Sequence, residues 1–175
     1  MNAETLEYKG HTINIVYDEF AENPFTNWDG EGKIIFHPRA DYVCNKELSY
    51  DEAKQTKFSV PLSAYIHSGI SLSVLGEGYR CQWDTSDYIA YWVPDQENAP
   101  VKTKQQAIKH ARQACELFNQ WVNGEVYGYN IPSLDESCFG FFGDMKYCID
   151  EAKSIIDYHV KEYQKGLKEV HALTA

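Results

Sequence analysis

Hydrophobic and polar positions alternate over short runs in the first hundred residues, and beyond them recur every three to four residues in two long stretches. Residues 11–17 (HTINIVY) alternate and are β-branched, which predicts a strand. Residues 33–37 (KIIFH) predict a second, stopped by Pro38, and residues 18–32 between them form an acidic loop. Residues 58–66 carry Pro61 and an apolar run that fits a bent strand or a short helix. In residues 70–74 one face holds Ile70, Leu72 and Val74 and the other Ser71 and Ser73. A turn at Gly76-Glu77-Gly78 leads into residues 79–83 (YRCQW), and Asp84 to Asp87 turn the chain into residues 88–93 (YIAYWV). These three runs predict an antiparallel meander.

Thr103 with Gln106 is a capping-box pair that opens the first long helical stretch. Its apolar stripe is Ala107, Ile108, Ala111, Cys115, Phe118, Trp121 and Val122, and Asn123-Gly124 ends it. A second helix begins after Asp144, with Met145, Cys148, Ile149, Ala152, Ile155, Ile156, Val160 and Tyr163 in one stripe. Between the helices, residues 126–131 and 137–142 predict a hairpin around Pro132-Ser133-Leu134-Asp135-Glu136. Its second strand has Gly140 and Gly143 marking a bulge or close approach, and Phe139, Phe141 and Phe142 under the helices. Ser49 and Glu52 would cap a further short helix. The pattern therefore predicts an α+β domain: one antiparallel sheet of about six or seven strands, with two amphipathic helices packed on one face. It treats residues 1–175 as a single domain whose ends, 1–10 and 167–175, fray.

Composition narrows the class. A chain of 175 residues that is 43% hydrophobic and 14% aromatic can bury a core, which excludes a disordered protein. The opening MNAETLEYKG has neither a basic nor an apolar run, so no leader is expected, and no stretch is apolar enough to span a bilayer. The five cysteines (44, 81, 115, 138 and 148) are odd in number and lack a C-x-x-C pair, which favours free thiols in a cytoplasm. Net charge is −10, and residues 1–100 hold 16 acidic against 7 basic side chains. Such a balance opposes direct nucleic-acid binding and suits a partner with a basic surface.

The residues most suggestive of chemistry are His37, His67, Ser68, Cys81, Asp84, Ser137 and Cys138. A Cys138 or Cys81 nucleophile, a His67 base and an Asp84 orienter would make a hydrolytic or transferase site if folding brought them together. The competing account has His67-Ser68-Gly69 as a turn and Trp83 in the core. No metal-ligand spacing is present, so neither a metal nor another cofactor is expected. Acidic side chains crowd the loops: Asp18, Glu19, Glu22, Asp29, Glu31, Asp84, Asp87, Asp95 and Glu97. Gathered on one edge, with Trp28, Tyr88 and Trp92 as anchors, they would form a surface for a basic partner.

Four segments, in order, carry a resemblance: Gly32-Lys33-Ile34-Ile35-Phe36-His37, then Tyr65-Ile66-His67-Ser68-Gly69-Ile70-Ser71, then Cys81-Gln82-Trp83-Asp84, and last Gly124-Glu125-Val126-Tyr127-Gly128-Tyr129 followed by residues 135–143 (DESCFGFFG). Together they resemble a family of proteins carried by bacteriophages, prophages and other mobile elements. The chain departs from that pattern at Ile66, where an acidic residue is usual, and at Phe139, where tryptophan is usual. The resemblance implies a setting in a bacterial host and no particular reaction. Joined to the acidic front half, it leads to the expectation of an accessory protein that inhibits a host nucleic-acid-handling defence complex of restriction or CRISPR type. A small cysteine- and histidine-dependent hydrolase or transferase is the alternative.

Overall fold

The computed structural model describes residues 2–26, 30–40 and 48–174. In chain order the elements are β1 (Asn2–Tyr8), β2 (His11–Tyr17), β3 (Gly32–Phe36), α1 (Tyr50–Gln55), β4 (Val60–Ile66), β5 (Ile70–Val74) and β6 (Thr85–Pro94). Then follow α2 (Lys104–Val122), β7 (Val126–Ile131), a 3-10 turn (Pro132–Leu134), β8 (Glu136–Phe142) and α3 (Met145–Thr174). The class is α+β, but the strands form two four-stranded antiparallel sheets in place of the expected single one. The chain divides into two compact units, Met1–Ala21 with Gly124–Ala175, and Glu22–Asn123. Each unit has one sheet and one long helix, so the two amphipathic helices do not share a sheet face. Alternation specifies which residues face inward but not which strand is the neighbour.

In the first unit the strand order is β1-β2-β7-β8. Ile13 and Ile15 of β2 and Tyr127, Tyr129 and Ile131 of β7 pack with Cys148, Ala152 and Ile156 of α3. The polar N-terminus is a strand and not a frayed end. Lys9 and Gly10 both take positive φ, the geometry of a tight hairpin turn, and Tyr8 pairs with His11. Ala3, Leu6 and Tyr8 of β1 add to the core. At the other terminus α3 continues as helix past Gly166, where fraying was expected. Its buried stripe runs out at Val160, because Tyr163 is exposed along with the rest of that turn.

β8 holds the expected bulge. Tyr127 pairs with Phe141 but Gly128 pairs with Phe139, which leaves Gly140, at φ +85, unpaired. Residues 127 and 128 point to opposite faces, so Phe139 and Phe141 do too. Phe141 meets Tyr129 and Tyr147. Phe139, placed under the helices by its sequence pattern, instead lies half exposed against Gly128.

In the second unit the order is β3-β6-β4-β5, so the meander expected over residues 70–93 is not formed. β6 pairs with β3 and β4, and residues 79–83 are an irregular loop. Both faces of the β3–β6 pair are covered, which is why these strands read as continuous apolar runs. Ile34, Ala90 and Trp92 face α2 through Ala107, Ala111, Ala114, Cys115 and Phe118. Ile35, Tyr91 and Val93 face Ala53 of α1. Both expected capping boxes are present, Ser49 with Glu52 and Thr103 with Gln106. The free edge of β5 is partly satisfied by α2: the Asn119 side chain accepts from the Leu72 amide at 2.7 Å and donates to its carbonyl at 3.0 Å.

Candidate functional site

The second unit gathers several of the sequence candidates around the start of β6. The β4–β6 ladder extends one step beyond Tyr65 and Thr85, through an Ile66 amide to Asp84 carbonyl bond of 2.8 Å. That register sets His67 beside Asp84, with Nδ1 3.3 Å from Oδ2. The His67 ring stacks on Tyr65, whose ring in turn receives Tyr79 edge-on at 5.0 Å. Partial desolvation, followed by the nearby charge of Asp84, raises the Tyr65 phenol above its ordinary pKa. Cys81 is tied into the same loop, its amide donating to Thr85 Oγ1 at 2.8 Å and its carbonyl accepting from the Thr85 amide at 3.1 Å.

Two ion pairs hold this loop in shape. Arg80 Nη2 lies 2.7 Å from Asp87 Oδ2, while the buried Ser63 hydroxyl donates to Asp87 Oδ1 at 2.8 Å. Arg80 first, and Ser63 second, keep the Asp87 carboxyl below its usual range. Arg112 of α2 grips Glu77 with both arms, at 2.8 and 2.6 Å, and lowers that carboxyl likewise. On this braced loop Trp83 is 85% exposed and Tyr79 72% exposed, so Trp83 does not plug the core. Isolated apolar side chains on a surface are ordinary. Two large exposed rings on one pinned loop give it an aromatic surface.

Tyr88, also exposed, sits at a second bulge. Leu62 pairs with Ala90 but Ser63 pairs with Asp87, and Tyr88 occupies the left-handed region at φ +57. Tyr50 Oη donates to its carbonyl at 2.5 Å, which helps to hold that conformation. A non-glycine residue there carries roughly 1–2 kcal/mol of strain. The usual preference for alanine over glycine in strands should therefore reverse at this position. Tyr88→Gly is expected to be more stable than Tyr88→Ala by about 1 kcal/mol, read from urea midpoints. Equal midpoints, or a more stable alanine variant, would show that the backbone there is not left-handed.

The other sequence candidates lie elsewhere. Ser137 and Cys138 are on β8 of the first unit, with Cys138 exposed. Cys115 and Cys148 are buried, and desolvation pushes their thiols up to about 12 and about 11, far from nucleophilic. His37 accepts the Arg39 amide through Nδ1 at 3.2 Å and meets Tyr50 edge-on, a local structural role. Asp18 and Glu19 belong to the first unit. Glu22, Glu31, Asp84, Asp87, Asp95 and Glu97 belong to the second. Within it Asp84 and Asp87 lie at the start of β6, while the Asp95 amide, just past its end, bonds the Glu31 carbonyl at 3.1 Å. A ten-residue strand separates these acidic groups by roughly 30 Å. Trp92 is buried. Trp28, Asp29 and Cys44 lie outside the described residues.

The roles of Tyr79 and Arg80 had no signal in spacing, since the strand expected at 79–83 would have turned them to alternate faces. Among the described residues no group of three or more His, Cys, Asp or Glu side chains could hold a metal ion. No helix among them is long and apolar enough to cross a membrane. No protein-family model, curated protein or solved structure matches the chain.

Proposed function

We propose that the chain is an acidic accessory protein that docks on a basic surface of a host nucleic-acid-handling complex, with Trp83, Tyr79 and Tyr88 as its anchors. The observation that carries this reading is the exposure of Trp83 and Tyr79 on a loop tied by the Arg80–Asp87 and Arg112–Glu77 pairs. A preordered aromatic loses little conformational freedom on binding, and such residues dominate interface energetics. The net charge of −10 steers the approach. A row of carboxylates imitating a phosphate backbone is less favoured, because Asp84 and Asp87 are engaged with His67 and Arg80.

Trp83→Ala is expected to weaken partner binding by about 2 kcal/mol, near thirtyfold in Kd. The test is a pull-down from host-cell lysate at low and high salt, using the native protein and the Trp83→Ala, Tyr79→Ala double variant. The reading predicts a nucleic-acid-handling protein held by the native chain, released by salt and lost with the double variant. Equal capture by the double variant would remove the patch from the interface, and no capture at either salt would sink the reading.

The geometry of His67 and Asp84 favours a second reading. Nδ1 of a catalytic histidine faces its orienting carboxylate, as here, and leaves Nε2 for a nucleophile. Cys81, in the same loop, would be that nucleophile in a small hydrolase or transferase. Cys138, the other cysteine of the alternative, belongs to the other unit. Rapid labelling of the Cys81 thiol near neutral pH, slowed by His67→Ala, would support this reading, and slow labelling regardless of His67 would exclude it.

A further inference from the structure

The second unit contains a cavity of about 580 Å³ at the end of β6 away from the aromatic loop. It lies between α2 and the segments leading into and out of β3 and β6. Its size is that of a small-molecule site, which typically spans about 300–1,000 Å³. Phe25 and Leu117 supply apolar wall, and Asn98 and Gln113 present amides. The charge is one-sided: Glu31 is its only carboxylate and no lysine or arginine lines it among the described residues.

Glu31 and His110 give the cavity its chemistry. Oε2 of Glu31 sits in very close contact with Nδ1 of His110. Yet that nitrogen, buried, makes no hydrogen bond, so the contact has proximity without hydrogen-bond alignment. Buried polar atoms of this kind ordinarily find a partner. Glu31 is more than half exposed and can turn. An N–H donor entering between them would satisfy the carboxylate and the ring nitrogen together. The flat apolar wall beyond would take the body that carries it.

We propose that this cavity binds a small organic cation, an amine on a flat apolar body, with Glu31 and His110 receiving the ammonium group. The proposal is independent of the aromatic docking patch. An anionic ligand would meet Glu31 with no lysine or arginine among the described lining residues to offset it.

The test titrates the full chain by calorimetry with tryptamine, and in parallel with indole-3-propionate, which offers the same ring with the opposite charge. Tryptamine is expected to bind at least about tenfold more tightly than the propionate. Glu31→Gln should remove that preference, and Gln113→Trp, a change at an exposed lining position, should block tryptamine without lowering the unfolding midpoint. The proposal is overturned if the propionate binds equally well, if Glu31→Gln binds tryptamine unchanged, or if tryptamine gives no heat up to about 10 mM, where even a weak millimolar site would be occupied.

Discussion

Alanine at Gly32 is expected to cost about 3 kcal/mol of stability, at the top of the usual range for overpacking a core. Gly32 is not in the left-handed region, so its need for glycine is one of space alone. A Cβ there would lie 2.5 Å from the Val93 carbonyl oxygen and 2.6 Å from two atoms of the Trp92 indole. Neither neighbour can give way easily. Val93 pairs with Lys33 in the β3–β6 ladder, and Trp92 is only 1% exposed. Gly128 offers the contrasting case, since its Cβ would meet the ring of Phe139, which is half exposed and can swing outward. Gly128→Ala should cost about 1 kcal/mol. Urea unfolding of both variants measures the difference, and a Gly32→Ala loss no larger than that of Gly128→Ala would show that β3 and β6 can separate at little cost.

Phe118→Ala should cost more, about 3–5 kcal/mol. Phe118 is fully buried on the face of α2 that covers the second sheet, with Phe36 at 5.4 Å and Trp121 at 5.9 Å between ring centroids. Truncation loses the transfer energy of the ring, leaves a cavity the surrounding strands can only partly close, and removes two aromatic contacts. Against a typical net stability of about 5–15 kcal/mol, the variant would be close to unfolding at physiological temperature. Phe118→Leu should recover more than half of the loss, because most of the volume is restored. Denaturant midpoints for the pair decide it, and a loss below about 2 kcal/mol for the alanine variant would mean that α2 is not seated as described.

Local signals in the sequence were good guides to local structure. Thr103 with Gln106 and Ser49 with Glu52 open helices as their spacing implies, Gly124 takes positive φ after α2, and Gly140 marks a bulge. Residues 79–83 alternate, yet no strand forms there, because β6 finds β4 as its neighbour and the intervening loop folds over the sheet end. β1 looked too polar for a strand because an edge strand needs only one apolar face, and Leu6 and Tyr8 supply it. The pairing of His67 with Asp84 was readable as a possibility, but its geometry depends on the β4–β6 register. The cavity at Glu31 and His110 was not readable, because nothing in the spacing of α2 distinguishes His110 from any polar residue beside a buried stripe.

The interleaving of the two units has a consequence for how the protein folds. β2 pairs with β7, and the Asp18 amide bonds the Val126 carbonyl at 2.8 Å, so adjoining strands of one sheet are separated in sequence by the whole of Glu22–Asn123. During synthesis the β1–β2 hairpin emerges early, but a two-stranded ribbon is at best marginal alone. Its lasting neighbour does not exist until the second unit has been made. That second unit is continuous in sequence and can close its own core as soon as α2 leaves the ribosome. The order of completion is thereby reversed relative to the order of the chain: β1 and β2 are made before the second unit and locked in place after it. Once the middle has folded, the closure bringing β7 to β2 no longer spans a flexible hundred-residue loop but a preformed body, which lowers the entropy lost in joining them.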